Sequence, residues 1–434
     1  MNADPAILLD VSRLLSRLGK GPPTGIDRVE AEWLAHLGRR AGPHLLLARV
    51  RRGQLVLPPE AGPRILRWLA GQGDDLPRAA AIDRLRGREG AVPRAEAALR
   101  RMALARLGPD GRGLADEVAA RLGRGAVYLN VGHSNLGPGL WRRMGPLARV
   151  VMIHDTIPLD HPEWTRSGQS LRFRERFAAA VGGAGLVLAV SQAAAADVRA
   201  WRARLSLPET APVIAAPIGT RLAAPDPSGL PRDLDTDHPF LVALGTIEPR
   251  KNHALLLDAW EELARRLPAG RIPRLLIVGR RGWENREVFA RLDRLPPGGP
   301  VRELAGLDDG AVAALLDRAC ALVMPSRAEG FGLPYAEAAG RGLAVLCAPL
   351  PAARELLGSR ACYLPPDAPQ LWAREIARLA AARPLRIPPP PLPRWQDHFR
   401  IVRRALRELA QTQEGFARPG CTVHHAPTVV KQGP

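Results

Sequence analysis

The chain has 434 residues, 46% of them apolar, and a formal net charge of +19; this length exceeds one compact core and implies two domains of roughly 200 residues each. No uninterrupted apolar run reaches the ~18 residues of a membrane span, and Met1-Asn-Ala-Asp-Pro does not read as a signal peptide. The positive charge would attract polyanions, but only three of the 62 basic residues are lysine (Lys20, Lys251, Lys431), no basic block stands out, and 4% aromatic content is too sparse for a base-stacking platform. Nucleic acid is therefore not expected as a partner. Contact of a mildly basic N-terminal face with an anionic membrane surface, and plain compositional bias, both account for the charge. The expected location is the cytoplasm, at most peripheral at the inner face of the membrane.

Strand-like apolar runs alternate with helical patterns along nearly the whole chain, which predicts an α/β architecture with parallel layers. In residues 1–230 the predicted strands are 6–9, 45–50, 126–130, 149–153 and 185–190, with helices over 26–39 and 171–181. Residues 60–124 break the rhythm with an Ala/Arg-rich stretch that predicts a helical insertion, amphipathic from 91 to 107. A Pro/Asp-rich segment, 224–239, reads as a linker. The alternation then restarts in residues 231–390: strands at 240–244, 274–278, near 301, 321–324 and 344–347, and helices at 253–266, 284–295, 308–320 and 371–382. After Pro388-Pro-Pro-Pro391 a last helix is expected to cross back to the first domain within 391–411, and residues 412–434 lack periodicity and read as a disordered tail. Cys320, Cys347, Cys362 and Cys421 are widely spaced, which suits free thiols rather than a disulfide frame.

Two segments carry chemistry. Leu241-Val-Ala-Leu-Gly-Thr-Ile-Glu-Pro-Arg-Lys-Asn-His253 places Arg250 and Lys251 between a strand end and a helix start, where open α/β sheets collect ligands. Cations are unfavourable at a helix N-terminus unless an anion is present, and a lysine in a chain that uses arginine almost everywhere suits a compact point charge on phosphate. The second segment, Glu329-Gly-Phe-Gly-Leu-Pro-Tyr-Ala-Glu337, reads as a glycine loop on which Pro334 opens a helix, so that backbone N–H groups face an anion. Glu337 in the first helical turn suits neutral hydroxyls, and Glu329 is expected on the loop lip. A ligand both phosphorylated and rich in hydroxyls fits, which describes a sugar nucleotide.

Gly245-Thr246, Arg250-Lys251-Asn252, Val278-Gly279, Ser326 and the 329–337 segment, in this order and spacing, resemble the retaining glycosyltransferases of family 4. Asp10-Val-Ser-Arg13, Pro23-Thr-Gly-Ile-Asp-Arg-Val29, Ile153-His-Asp-Thr-Ile-Pro158, Val190-Ser-Gln192 and Pro217-Ile-Gly-Thr220 are weaker echoes of its bacterial mannosyltransferase-like branch. The resemblance implies a GT-B fold: two Rossmann-like α/β/α domains facing each other across a cleft. It implies that Arg250 and Lys251 bind the diphosphate, Glu329 faces the donor sugar and Glu337 the ribose. Gly245, Ser326, Gly330 and the amides of Phe331, Gly332 and Leu333 would complete the cradle, with Thr24, Gly25, His154 and Asp155 on the facing wall.

The expected activity is retaining transfer of a sugar, with mannose from GDP-mannose as first guess, to a glycan or lipid-linked acceptor in surface polysaccharide synthesis. A nucleotide-sugar-binding protein without turnover is the alternative. No Asp-x-Asp signature stands at a strand end, so neither metal nor other cofactor is expected beside the donor. Front-face attack and a Glu329 nucleophile both remain open.

Overall fold

The computed structural model describes residues 4–40, 42–145, 147–382 and 386–417. Two sheets organise them. The first contains β1 (Ile7–Asp10), β2 (His44–Val50), β3 (Gly53–Leu57), β4 (Ala105–Leu107), β5 (Val127–Asn130), β6 (Ala148–Ile153), β7 (Leu186–Ala189) and β8 (Val213–Ala215) in the order β4-β3-β2-β1-β5-β6-β7-β8. The second contains β9 (Phe240–Leu244), β10 (Arg274–Val278), β11 (Val301–Leu304), β12 (Ala321–Met324), β13 (Val345–Cys347) and β14 (Ala361–Tyr363) in the order β11-β10-β9-β12-β13-β14, every pair parallel. Ile7, Leu8 and Leu9 of β1 and Leu241, Val242 and Ala243 of β9 are all buried. Such runs without alternation mark strands covered by helices on both faces.

The second sheet has the doubly wound order in which the chain reverses direction between β9 and β12, and the first reverses between β1 and β5. Ligands gather in the crevice beyond the carboxyl ends of strands at such a reversal. The loops after β9 and β12 hold Gly245 to Lys251 and Ser326 to Gly332, while those after β1 and β6 lead to Thr24, Gly25, His154 and Asp155. The topology therefore brings four separated sequence segments toward one cleft.

The first sheet departs from an all-parallel layer. β3 runs antiparallel to β2, joined through Arg51-Arg52, and β4 runs antiparallel to β3. The amphipathic stretch predicted over 91–107 is consequently not one helix: it ends at Met102, and the Leu104 N–H donates to the Val56 carbonyl at 2.9 Å as the chain joins the sheet edge. Edge pairing overrides helical periodicity there because it satisfies backbone groups that an extended helix would leave on the sheet. Elsewhere the insertion carries the helical segments Ala61–Leu69, Ala81–Arg84, Ala91–Met102 and Leu114–Leu122, joined by turns and irregular stretches.

The helix Trp395–Ala417 returns to the first domain and runs beyond the predicted end at 411. Phe399 stacks on His36 with ring centroids 3.7 Å apart, and Arg407 pairs with Asp4 at 2.6 Å. His398 is buried: its Nδ1 meets the Ala216 carbonyl at 2.9 Å, and its Nε2 accepts the Trp33 indole N–H at 3.1 Å. Of the tail expected to be disordered, 412–417 belongs to this helix and 418–434 lies outside the described residues, as does Cys421. Cys320 and Cys347 are buried free thiols and Cys362 is half-buried. No helix among the described residues is long and apolar enough to cross a membrane.

Candidate active site

A cleft of about 640 Å³ lies between the domains, within the usual range of small-molecule sites. Thr24, Gly25, His154 and Asp155 line it from the first domain, and Gly245, Arg250, Lys251, Gly330, Phe331, Gly332, Leu333, Glu329 and Glu337 from the second. Ser326 does not line it. β12 ends at Met324, and the chain turns inward through Pro325, leaving Ser326 fully buried beneath the loop.

The strongest electrostatic feature is a four-membered cluster. The Glu329 carboxylate stands 2.5 Å from the Lys251 ammonium and 2.9 Å from the Arg250 guanidinium, and Glu248 pairs with Arg250 from the other side at 2.6 Å. Glu329 is therefore not on the loop lip: its side chain is 7% exposed. Two cations in a low-dielectric wall draw the carboxylate inward. Burial alone would raise the Glu329 carboxyl, but Lys251 and Arg250 outweigh it and hold the group at about 2. Burial pulls the Lys251 ammonium below its ordinary value, with Glu329 opposing, and Glu329, Glu248 and Asp155 raise Arg250 against its own burial. Lys251 fits because a Cβ on Gly245 would stand only 3.3 Å from its Cε.

The loop after β12 contacts the facing domain closely. A Cβ on Gly330 would lie 2.0 Å from the His154 carbonyl oxygen, so only glycine allows this approach. The Ser191 hydroxyl donates to the Gly330 carbonyl at 2.6 Å, and Glu355 of the second domain accepts from the Gln192 and Ala193 N–H groups at 2.8 and 3.1 Å. Gly332 adopts a left-handed conformation, φ 89°, and caps the helix Leu333–Gly340. Pro334 is thus the second helical residue rather than the first. Glu337 is the fifth, one position beyond the first turn. Among the described residues, no protein group accepts a hydrogen bond from the Phe331, Gly332 or Leu333 N–H, so these amides are available to an anion at the helix start.

Glu337 has a partner that sequence reasoning missed. Arg28 of the first domain donates to it at 2.6 Å and also contacts Asp309. Burial raises the Glu337 carboxyl, with Arg28 opposing. The signal was present, since Gly25 and Arg28 lie one helical turn apart in Gly25–Arg39 and share a face. Thr24 is held by Asp27, which accepts from its N–H and hydroxyl, both at 2.7 Å. Asp27 also pairs with Arg13 and Arg17, at 2.6 and 2.9 Å. Arg280 fastens the same loop through the Lys20 carbonyl at 3.1 Å.

His154 is buried, and its Nε2 lies 2.7 Å from the Val131 carbonyl. A carbonyl only accepts, so Nε2 carries the proton and Nδ1 is the acceptor. Burial holds this ring at about 4, neutral at ordinary pH. Burial also raises Asp155, against the pull of Arg250.

The fold and cleft define the class. Residues 238–382 match the family model described as "Glycosyl transferases group 1", and the two facing domains are a GT-B fold. Anabaena HepE, solved in complex with UDP-glucose, superposes with a TM-score of 0.55 at 17% identity over 95% of this chain and 98% of its own. Sucrose-phosphate synthase of Thermosynechococcus elongatus gives 0.58 at 15% identity with the same coverage of both chains.

Among curated proteins, the chain is similar to the serotype-specific mannosyltransferase WbdA of Escherichia coli, 32% identical over 247 residues that span 54% of this chain and 30% of WbdA. It is also similar to O-antigen chain mannosyltransferase B of Escherichia coli, 34% identical over 128 residues, 30% of this chain and 33% of that protein. The chain thus spans about a third of the length of the curated relatives it matches.

Proposed function

We propose that the protein is a retaining glycosyltransferase that moves mannose from GDP-mannose to a glycan or lipid-linked acceptor in the synthesis of a surface polysaccharide. The observation that carries this reading is the placement of Arg250 and Lys251 with Glu329 on one wall of the cleft, beside the free N–H groups of Phe331, Gly332 and Leu333. The two cations and the helix start offer a diphosphate fixed positive charge where its leaving oxygen develops negative charge, which lowers the barrier electrostatically. Arg250 and Lys251 supply this charge, so the reading requires no metal. Similarity to mannosyltransferases supports mannose as the sugar.

In the reaction the acceptor oxygen bonds to the anomeric carbon as the carbon–oxygen bond to the diphosphate breaks, and the acceptor proton passes to the departing phosphate oxygen. Glu329, held at about 2 by two cations, is a weak nucleophile, which supports front-face attack over a covalent intermediate. We assign Glu337 and Arg28 to the ribose end of the donor. Neutral His154 lines the sugar end from the opposite wall and offers Nδ1 as an acceptor.

Thermal melting with GDP, UDP, ADP and their sugars tests the donor assignment, followed by transfer of radiolabelled mannose to mannobiose. GDP and GDP-mannose should stabilise the fold most, and labelled product should form. Stabilisation without product would support a binding protein without turnover. No stabilisation by any nucleotide would overturn the assignment.

A further inference from the structure

A second cavity, about 570 Å³, adjoins the cleft. Ile26, Asp155 and Arg250 line both spaces, so the two meet where the donor sugar would lie. Its outer wall is built from the helix Gln169–Gly183 and the loop before it. Arg172 and Arg176, four residues apart, share one helical face there. Arg166 lies over the Trp283 ring, 5.1 Å from its centroid, and the Trp283 indole N–H donates to the Trp164 carbonyl at 2.9 Å.

The charge in this cavity is unbalanced. Among the described residues, Arg166, Arg172 and Arg176 have no carboxylate within salt-bridge distance, whereas Arg28 and Arg250 of the neighbouring cleft wall are paired. Arg172 donates only to the Gly168 carbonyl, at 3.0 Å. The carboxylates that line the cavity, Asp155 and Glu248, stand at its inner end beside Arg250, and Glu248 is already engaged by it. Arg172 and Arg176 are both exposed to solvent, and the Arg176 guanidinium is lowered by partial desolvation and by Arg49 and Arg172, with Glu175 opposing. Repulsion between exposed guanidiniums is screened by water, and an arriving phosphate gains charge-assisted hydrogen bonds from side chains that make no ion pair within the protein.

We propose that this cavity receives the acceptor, and that the acceptor is acidic: a saccharide whose phosphate or diphosphate group is held between Arg172 and Arg176 while its reacting hydroxyl points toward Asp155 and Arg250. The inference rests on the transferase reading above. The aromatic rings of Trp164, Trp283 and Phe173 give the sugar its apolar contact, and the arginines read its charge.

The test compares two acceptor pairs in transfer assays with saturating donor. Octyl α-mannoside against its 6-phosphate places the charge on the sugar, and mannobiose against farnesyl-diphosphate-linked mannobiose places it on a carrier. At least one acidic member should show a KM about tenfold below that of its neutral partner, and the preference should vanish in Arg172→Gln/Arg176→Gln. The pair that shows it identifies the source of the charge. Arg174→Gln, on the same helix but outside the cavity, should keep the preference, which separates a local role from a general loss of positive charge. Equal KM values within both pairs, or a preference that survives the double substitution, would overturn the acidic acceptor while the transferase reading stands. Absence of both nucleotide stabilisation and transfer would remove the two together.

Discussion

The Glu329 carboxylate lies 2.5 Å from the Lys251 ammonium, 78 residues away in the chain, and fills the position of a counter-ion on the cleft wall. The two cation-bearing and glycine-bearing loops are thereby joined before any ligand arrives. A bound diphosphate would share or take over the charge that Glu329 now balances.

Replacement of Lys251 by alanine should lower kcat/KM by about 10²- to 10³-fold, the usual effect of removing a positioned group that stabilises developing negative charge. Lys251→Arg should recover little, because the side chain is 7% exposed and packed against Gly245, with no room for a planar guanidinium. Steady-state kinetics with the donor varied checks both. Activity of the alanine variant within threefold of wild type would remove Lys251 from catalysis.

Glu329→Gln leaves Lys251 buried without its carboxylate, a change that costs on the order of 3–5 kcal/mol for a buried pair. The ligand-free variant should melt well below wild type, and GDP should raise its melting temperature more than it raises that of wild type. The pH dependence has a definite sign. Glu329 is held at about 2 against an ordinary 4.5, so its contribution is complete above about 4.5 and is lost as pH falls toward 2. Melting curves between pH 6 and 3 should show a smaller acid-induced loss in the variant.

Gly330→Ala would force a Cβ to within 2.0 Å of the His154 carbonyl oxygen and 3.1 Å of the Asp155 Cβ. Since backbone cannot yield as a side-chain tip can, the domains must separate locally, and the Ser191 hydrogen bond to Gly330 is lost. Overpacking of this kind costs about 1–3 kcal/mol, and a displacement near 1 Å at the reacting groups can lower the rate about 10²-fold. Small-angle scattering should report a more open particle. An unchanged radius together with full activity would contradict a closed catalytic geometry.

His398 should couple the returning helix to pH. It is buried at about 4 against an ordinary 6.5, and its Nε2 must remain unprotonated to accept the Trp33 indole N–H. Its folded value lies below its unfolded one, so its contribution is complete above about 6.5 and falls as pH drops from there to 4. His154, held at about 4 by burial, titrates in the same window. His398→Phe should therefore make the loss of stability between pH 7 and 4 shallower without abolishing it, as measured by melting temperature. A slope equal to that of wild type would show that His398 does not report on this contact.

Much of this protein was legible along the chain because its information is local. The strands 240–244, 274–278 and 321–324 follow from continuous apolar runs that only a doubly covered sheet can bury, and the helix 253–266 from its amphipathic spacing. Arg250, Lys251 and the glycine loop were legible for the same reason: strand, turn and helix start are each a short-range pattern. The antiparallel edge formed by β3 and β4 was not, because its pairing partners lie about fifty residues apart in the chain and helical periodicity around residue 100 pointed elsewhere. Tertiary structure alone decided that Glu329 turns inward to Lys251 and Arg250, that Ser326 is sealed beneath the loop, and that Arg28 reaches Glu337 across 309 residues. Charge pairing depends on distance in space and on local dielectric, and neither is written in the order of residues.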